Sequence, residues 1–269
     1  MSTISTVFNL VNYAQKGETL KDKWLAFLIA GLGVIGDHRR RVRHFFIKQI
    51  ENLSNQESIQ IRIWIDNKLS YFSMRKGNEA DYLIGGELVR GGYEIPPFEP
   101  KTIIDGGANI GMFAIEASSY FPNAKLTCYE PDSTNFQQLK ENLSHNNLDI
   151  EILPLGLWSK ETTLYYHSQS SHTGFVDENP PGVPIPCTVP KIGDDCWLKL
   201  DIEGGEYEVL PALLEQGLYP RWISLEIHSF DTKGKSIITL LEKHGYTIKG
   251  DINYDVNCIV ISASHQLNS

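Results

Sequence analysis

Apolar segments of strand length alternate with segments of helix length through the C-terminal two-thirds of the chain. "KTIIDGG" and "AKLTCYEP", for example, are each followed by a helix-length segment, "GMFAIEASSYF" and "NFQQLKENLSHN". Strands separated by helix-length patterns predict βαβ units and a doubly wound, mostly parallel α/β sheet. The final segment, "YTIKGDINYDVNCIVISAS", contains two strand patterns whose connection is too short for a crossover helix. We therefore expect an antiparallel hairpin to close the sheet.

The first 80 residues have a different pattern. Residues 1–55 look helical, and "IQIRIWID" then places isoleucine at every second position from Ile59 to Ile65, as in a half-buried strand. A turn separates this segment from "LSYFSMR", so we predict a β-hairpin over residues 59–75. We expect an N-terminal helical and β-hairpin appendage at 1–80 and a ligand-binding α/β domain at 81–269.

An apolar run of thirteen residues, Trp24 to Gly36, precedes the basic segment "DHRRRVRH". A helix that spans a bilayer needs about 20 such residues, so we expect no transmembrane segment. A buried helix is the favoured interpretation, and a helix that lies on a membrane surface or binds a partner is the alternative.

Charge and cysteine content narrow the class of function. The 269 residues carry a net charge of -9 with a pI near 5.4, which argues against a nucleic-acid partner, because nucleic-acid binding relies on clustered Lys and Arg. The cysteines, Cys128, Cys187, Cys196 and Cys258, form no CxxC pair. We therefore expect reduced thiols and a cytoplasmic location. The acidic charge favours a small molecule over a nucleic acid as the substrate.

The segment "TIIDGGANIGMF", residues 102–113, forms the first predicted strand-to-helix turn. In a doubly wound sheet, ligands bind at the carboxyl ends of the strands near this turn. Glycines allow a tight turn and close approach of a ligand, and Asn109 is one of the few other residues that tolerate a positive φ. The glycine spacing does not match the GxGxxG pattern of dinucleotide sites. Because Glu130 ends the second strand, where it could accept hydrogen bonds from a ribose, we predict a site for a nucleoside without a pyrophosphate.

At these residues the sequence resembles the FkbM family of class I S-adenosylmethionine methyltransferases. The matching motifs are D-x-G-A-N-x-G at Asp105 to Gly111, E-P at Glu130 and Pro131, L-x-x-N at Leu139 to Asn142, and K-x-D-x-E-G-x-E at Lys199 to Glu206. The resemblance covers roughly residues 90 to 265 and implies a Rossmann-like fold, with S-adenosylmethionine as the cofactor of domain 81–269. Two departures are Gly205, where alanine is usual, and the short segment "CTVPKIGDDC", which lacks the usual small helix.

The resemblance also implies which residues bind the cofactor. Asp105, Gly107 and Asn109 would line its methionine and sugar side, and Glu130 would hold its ribose. Leu157 and Trp158 would lie near the adenine, with ordinary core packing as the alternative for Trp158. The full predicted set is Asp105, Gly106, Gly107, Ala108, Asn109, Gly111, Glu130, Pro131, Leu157, Trp158 and Asp201.

Charged residues at the ends of the fourth and fifth predicted strands are the candidates for catalysis. Alternation in "KLDIE" predicts that Lys199, Asp201 and Glu203 point to one face of the strand. They are either catalytic or a structural network in which Lys199 pairs with Asp201 or Glu203. His228 is the strongest candidate for a general base, because the pKa of histidine lies near neutrality. Alternatively, Asp201, Glu226 and His228 could bind a divalent metal ion that activates the acceptor.

These features predict an S-adenosylmethionine-dependent O-methyltransferase that acts on a hydroxyl of a natural product or sugar. One alternative is N-methylation of an amine or guanidine, because Glu203 and Glu206 could hold a cation. Another is a cofactor-binding module without turnover. Residues 1–80 would cover the acceptor side or mediate a homodimer, and the polar stretch with His167 and His172 would form a loop over the site.

Overall fold

The computed structural model describes residues 3–35, 40–168, 174–177, 180–253 and 256–265. The helices in these residues are α1 (Thr3–Ala14), α2 (Leu20–Val34), α3 (Arg40–Glu51), α4 (Glu79–Arg90), α5 (Met112–Tyr120), α6 (Ser133–His145), α7 (Glu206–Glu215) and α8 (Phe230–Lys243). The strands are β1 (Ser58–Ile65), β2 (Lys68–Arg75), β3 (Thr102–Gly106), β4 (Lys125–Tyr129), β5 (Glu151–Leu153), β6 (Gly156–Leu157), β7 (Thr162–Ser168), β8 (Gly174–Asp177), β9 (Val183–Thr188), β10 (Cys196–Leu200), β11 (Trp222–Ile227), β12 (Tyr246–Lys249) and β13 (Ile259–His265). Within these residues, no helix has both the length and the apolar character needed to cross a membrane.

The doubly wound sheet contains seven of the described strands, in the order β12-β13-β11-β10-β3-β4-β5. Strands β5, β4, β3, β10 and β11 pair in parallel, whereas β13 pairs antiparallel with β11 and with β12. The predicted mostly parallel sheet with an antiparallel C-terminal hairpin is therefore confirmed. The chain passes from β3 to β4 and β5 on one side and later adds β10 and β11 on the other, so the strand order reverses beside β3.

Parallel strands at the centre of this sheet are apolar because both of their faces are covered. All five residues of β10 are buried, and so are Ile103 and Ile104 of β3. The parallel register places Lys199 of β10 beside Asp105 of β3, and Leu200 beside Gly106. The carboxyl ends of β3 and β10 are therefore adjacent, at the place where a ligand site is expected in such a sheet.

A second sheet, which the sequence did not predict, contains β6, β9, β7 and β8 in that order. The polar stretch that we expected to be a loop contributes β7 and β8, and the register pairs His167 with Phe175. Antiparallel pairing of this kind depends on cross-strand partners, which local composition does not reveal. His172 lies outside the described residues.

Two compact units make up the chain. Residues 1–92, 110–122 and 137–149 form the first unit, and residues 93–109, 123–136 and 150–269 form the second. In the first unit, β1 and β2 form the predicted hairpin, and the alternating isoleucines of β1 are buried. Helix α2 buries Leu25, Leu28 and Leu32 from the apolar run, which agrees with the buried-helix interpretation. The division into domains at residue 80 stays a prediction.

The L-x-x-N motif has a structural explanation inside the first unit. The buried side-chain amide of Asn142 donates to the carbonyl oxygens of Ser73, at 3.1 Å, and Ile110, at 2.8 Å, and its Oδ1 accepts from the N–H of Ser73 at 2.8 Å. Leu139 packs beside Gly111, where a Cβ would lie 2.7 Å from Leu139 Cδ1. The motif therefore connects strand β2 to the start of α5.

Candidate active site

The glycine loop leaves the end of β3 and is held against the end of β4. The N–H groups of Gly107 and Ala108 both donate to the carbonyl oxygen of Tyr129, at 3.1 and 3.0 Å. Gly107 and Asn109 have positive φ angles, 75° and 49°, as expected from the residue types in this turn. A Cβ on Gly107 would lie 1.8 Å from the carbonyl oxygen of Asp201. Close approach to the Asp201 backbone therefore already requires glycine at this position.

Glu130 is held at the end of β4 by backbone donors. Its Oε2 accepts from the N–H of Asn109 and its Oε1 from the N–H of Asp132, both at 2.8 Å. The carboxyl group is almost fully buried, and burial raises the pKa of Glu130 to about 7. Pro131 follows directly and has no N–H to compete for these oxygens. Each oxygen keeps a further lone pair that could accept from a ligand hydroxyl.

An unsatisfied acceptor lies beside Glu130. The Oδ1 atom of Asn109 is buried and, within the described part of the chain, accepts no hydrogen bond. A buried polar atom without a partner costs about 1–3 kcal/mol, which a donor on a bound ligand would offset. Asn109 and Glu130 together therefore fit the hydroxyl and ammonium donors of a nucleoside with an amino-acid arm.

Leu157 and Trp158, the predicted adenine contacts, come after β5 in the chain. Leu157 ends strand β6 of the second sheet, and Trp158 is the next residue. Leu157 is buried and lies next to the glycine loop, since a Cβ on Gly106 would be 2.7 Å from Leu157 Cδ1. Trp158 is half-buried, and its backbone N–H donates to the carbonyl oxygen of Thr188 at 2.9 Å. The structure thus brings Leu157 to the loop, and adenine contact by Trp158 stays a prediction.

Lys199 pairs with Asp105 and lies farther from Asp201, one of its two predicted partners. Its Nζ lies 3.1 Å from Asp105 Oδ1, compared with 4.0 Å from Asp201 Oδ2. It also donates to the carbonyl oxygens of Gly106 and Gly107, at 3.2 and 2.7 Å. Burial would lower the pKa of Lys199, but the charges of Asp105 and Asp201 outweigh it and raise that pKa. A lysine that stays protonated cannot act as a base, so this geometry favours a role in fixing the loop.

The alternation argument does not extend as far as Glu203. Strand β10 ends at Leu200, and the N–H of Asp201 makes one more ladder bond, to the carbonyl oxygen of Gly106 at 3.1 Å. A turn follows, in which Glu203 and Gly204 have positive φ angles of 53° and 99°. The direction of the Glu203 side chain is therefore set by this left-handed turn, which the period-two pattern could not predict.

His228 lies in the turn after β11, among carboxylates from two strand ends. Its Nδ1 is 3.2 Å from Glu206 Oε1, and its backbone N–H donates to the same oxygen at 2.7 Å. The other ring nitrogen, Nε2, lies 3.5 Å from Glu203 Oε2 and 3.9 Å from Glu226 Oε1. Glu206 also accepts from the N–H of Gly204 at 2.8 Å. The structure thus brings the predicted residues Glu203 and Glu226 close to His228, and the buried Glu206 contacts both the backbone and the ring of that histidine.

The charges around His228 determine its protonation. Burial alone would lower the pKa of His228, but the hydrogen bond to Glu206 and the negative charge of Glu203 raise it to about 9. The imidazole therefore carries a proton at neutral pH. Glu226 has a raised pKa, because it is largely buried and lies near the charge of Asp201.

Cys258 also belongs to this cluster, although the sequence pattern did not predict it as a site residue. Its thiol donates to Glu226 Oε1 at 3.1 Å. Glu226, His228 and Cys258 offer an oxygen, a nitrogen and a sulfur ligand atom within 4.8 Å of one another, whereas Asp201 is not part of that group. Such a donor set suits a borderline cation such as Zn²⁺, and metal binding here stays a prediction. No motif marked Cys258; its position follows from the antiparallel pairing of β11 with β13.

A family model described as the methyltransferase FkbM domain matches residues 105–248, more than half of the chain. Methyltransferase 1 of Beauveria bassiana is 24% identical over 194 residues, which cover 58% of this chain and 76% of that protein. Methyltransferase sdnD of Sordaria araneosa is 32% identical over 102 residues, covering 36% of this chain and 39% of that protein. The AMB antimetabolite synthetase AmbE of Pseudomonas aeruginosa is 24% identical over 140 residues, covering 49% of this chain and 6% of that protein.

Proposed function

Since this chain belongs to the FkbM methyltransferase family and is an S-adenosylmethionine-dependent methyltransferase, we propose that its acceptor is a hydroxyl group of a small molecule. The observation that carries the proposal is the arrangement of Glu206 and His228. Because Nδ1 of His228 faces the Glu206 carboxylate, Nε2 is the ring nitrogen that remains to exchange a proton with the methyl acceptor. A hydroxyl acceptor needs such a base, whereas a neutral amine does not.

The residues proposed to bind the cofactor follow β3 and β4, whereas His228 follows β11. The cofactor supplies an electrophilic methyl group on a sulfonium. Glu130 would accept hydrogen bonds from its ribose, and Asn109 Oδ1 would accept from its amino-acid arm. Lys199 keeps the glycine loop in place through the carbonyl oxygens of Gly106 and Gly107. Most of the rate enhancement would then come from holding acceptor and methyl group at attack distance.

His228 would act on the acceptor after losing its own proton. A base with a pKa of about 9 is largely protonated at neutral pH, but it is a strong proton acceptor once it is neutral. Glu206 would stabilise the imidazolium that forms when the hydroxyl proton is transferred to Nε2. A small-molecule acceptor of natural-product type is consistent with the similarity of part of this chain to an antimetabolite synthetase.

One observation favours a second candidate, N-methylation of an amine or guanidine. Asp201, Glu203 and Glu226 place three carboxylates near one imidazole, and such a cluster could bind a cationic acceptor. Membership of a methyltransferase family speaks against the third alternative, a cofactor-binding module without turnover.

The experiment pairs acceptors that differ only at the reacting group. The protein is incubated with S-adenosylmethionine and matched hydroxyl and amine compounds, such as phenols with anilines and sugars with amino sugars, and mass spectrometry locates the added methyl group. Methylation on oxygen supports the proposal. Methylation on nitrogen alone, with the matched hydroxyl compounds left unchanged, would replace it with the second candidate.

A further inference from the structure

Helix α3 combines positive charge with exposed apolar side chains, and neither the proposed function nor the sheet core uses this combination. Its sequence, "RRVRHFFIKQIE", contains four Lys or Arg residues and one Glu, in a chain whose net charge is -9. Val42 and Phe45 remain 46% and 56% exposed. Positive charge and exposed apolar surface are thus concentrated on one short helix of an acidic protein.

One face of α3 is anchored within the first unit. Phe46 packs against α2, where a Cβ on Gly31 would lie 2.6 Å from the Phe46 ring. Ile50 is fully buried, and Arg43 forms an ion pair with Glu79 at the start of α4. These contacts hold the helix in a defined orientation, so the opposite face is a stable surface.

An apolar pair and a basic row make up that opposite face. Val42 and Phe45 are three residues apart, so they are neighbours along the helix surface and form the apolar pair. Arg41, His44 and Lys48, spaced by three and four residues, form the basic row beside it, and all three are exposed. Apolar and basic side chains on adjacent strips of one helix are typical of helices that lie in a membrane interface.

We propose that this face of α3, defined by Arg41, Val42, His44, Phe45 and Lys48, docks on a bilayer surface that contains anionic phospholipids. The basic row would bind lipid phosphates, and the apolar pair would enter the boundary between headgroups and acyl chains. A nucleic acid would contact the basic row and leave the apolar pair in water. The acidic remainder of the chain would be repelled by the same surface, which favours contact through α3.

The test is co-sedimentation of the full-length protein with vesicles at low ionic strength. We expect it to sediment with vesicles of phosphatidylcholine and phosphatidylglycerol, and not with phosphatidylcholine alone. Each basic residue near an anionic surface contributes about fivefold in affinity, so Arg41→Glu with Lys48→Glu should weaken binding about 25-fold or more. Phe45→Ser should weaken it at least about tenfold through lost apolar burial.

The matched control is Lys140→Glu with Lys243→Glu, an equal charge change at exposed positions on α6 and α8. It should retain vesicle binding, and circular dichroism should show all variants folded. Failure to bind anionic vesicles would overturn the proposal, and so would an equal loss in the control. If the protein forms a dimer that Phe45→Ser dissociates, the face belongs to a second copy and the proposal is wrong.

Discussion

Glu206 holds His228 through both the backbone and the ring. Its Oε1 accepts from the His228 N–H at 2.7 Å and lies 3.2 Å from Nδ1, while its Oε2 accepts from the N–H of Gly204 at 2.8 Å. Because Glu206 is fully buried at the start of α7, it joins the turn after β10 to the turn after β11. The Glu206 side chain therefore determines that Nδ1 of His228 faces Glu206 itself and that Nε2 faces Glu203 and Glu226.

Replacing Glu206 with alanine should destabilise the protein. The change leaves the half-buried N–H groups of Gly204 and His228 without the Glu206 acceptor, and an unsatisfied group of this kind costs about 1–3 kcal/mol when water does not reach it. We expect the free energy of unfolding to fall by at least about 2 kcal/mol, as measured by urea denaturation. Glu208→Ala, at an exposed position of the same helix, is the matched control and should change it by less than about 0.5 kcal/mol.

His228→Ala should affect the chemical step and not cofactor affinity. If His228 is the general base, kcat should fall at least about a hundredfold, while the Kd for S-adenosylhomocysteine measured by calorimetry stays nearly unchanged. For the wild-type enzyme, kcat should rise with pH up to about 9, because the base must first lose its proton. A variant that keeps wild-type turnover would show that catalysis rests on positioning alone.

Chelation separates the base from the metal alternative. With His228 as the base, we expect EDTA to leave turnover unchanged. Loss of activity in EDTA, restored by Mg²⁺, Mn²⁺ or Zn²⁺, would instead support a metal ion that activates the acceptor. In that case Glu226→Gln and Cys258→Ser should both lower metal affinity, and Asp201→Asn would show whether Asp201 takes part, since it lies outside the group that the geometry assembles.

Cofactor binding should release protons near pH 7. Burial raises the pKa of Glu130 from 4.5 to about 7, and ribose hydroxyls donate better to the ionised carboxylate. Affinity for S-adenosylhomocysteine should therefore fall as the pH drops below 7, by at most about tenfold per pH unit. The contribution of Glu130 to the stability of the unliganded protein changes with pH in the opposite direction from the affinity. It is fully present below pH 4.5 and is lost as the pH rises through 7.

Calorimetry in buffers of different ionisation enthalpy measures that proton release directly. The control is Glu130→Gln, which cannot titrate and should remove both the proton release and the pH dependence. Unchanged proton release in this variant would assign the effect to another group.

Truncation tests the proposal that residues 1–80 cover the acceptor side or mediate a homodimer. A chain that starts at residue 81 lacks Ser73, so the buried Oδ1 of Asn142 loses its donor, at about 1–3 kcal/mol, and the side-chain amide keeps only the carbonyl oxygen of Ile110. We expect a clearly lower Tm and reduced turnover, with oligomeric state followed by size-exclusion chromatography. Deletion of residues 1–14 alone leaves the contacts of Asn142 intact and is the control. An undiminished Tm and full activity in the longer truncation would rule out the proposal.

Local features of the site were predictable because short stretches of sequence encode them. The glycine turn after β3 and Glu130 at the end of β4 both follow from an apolar strand pattern and the residues that terminate it. The buried isoleucines of β1 follow from alternation within eight residues. In each case the physical cause, a φ preference or a period of two, acts between residues that are neighbours in the chain.

The sequence by itself therefore determined the sheet class, the hairpin, the glycine turn and the position of Glu130. Only the tertiary structure decided that Lys199 pairs with Asp105, that Glu206 orients His228, and that Cys258 lies beside Glu226. These contacts join residues on different strands or turns, and the register between strands decides whether their side chains meet. Strand register depends on packing across the whole sheet, so no local pattern in the chain could specify these pairs.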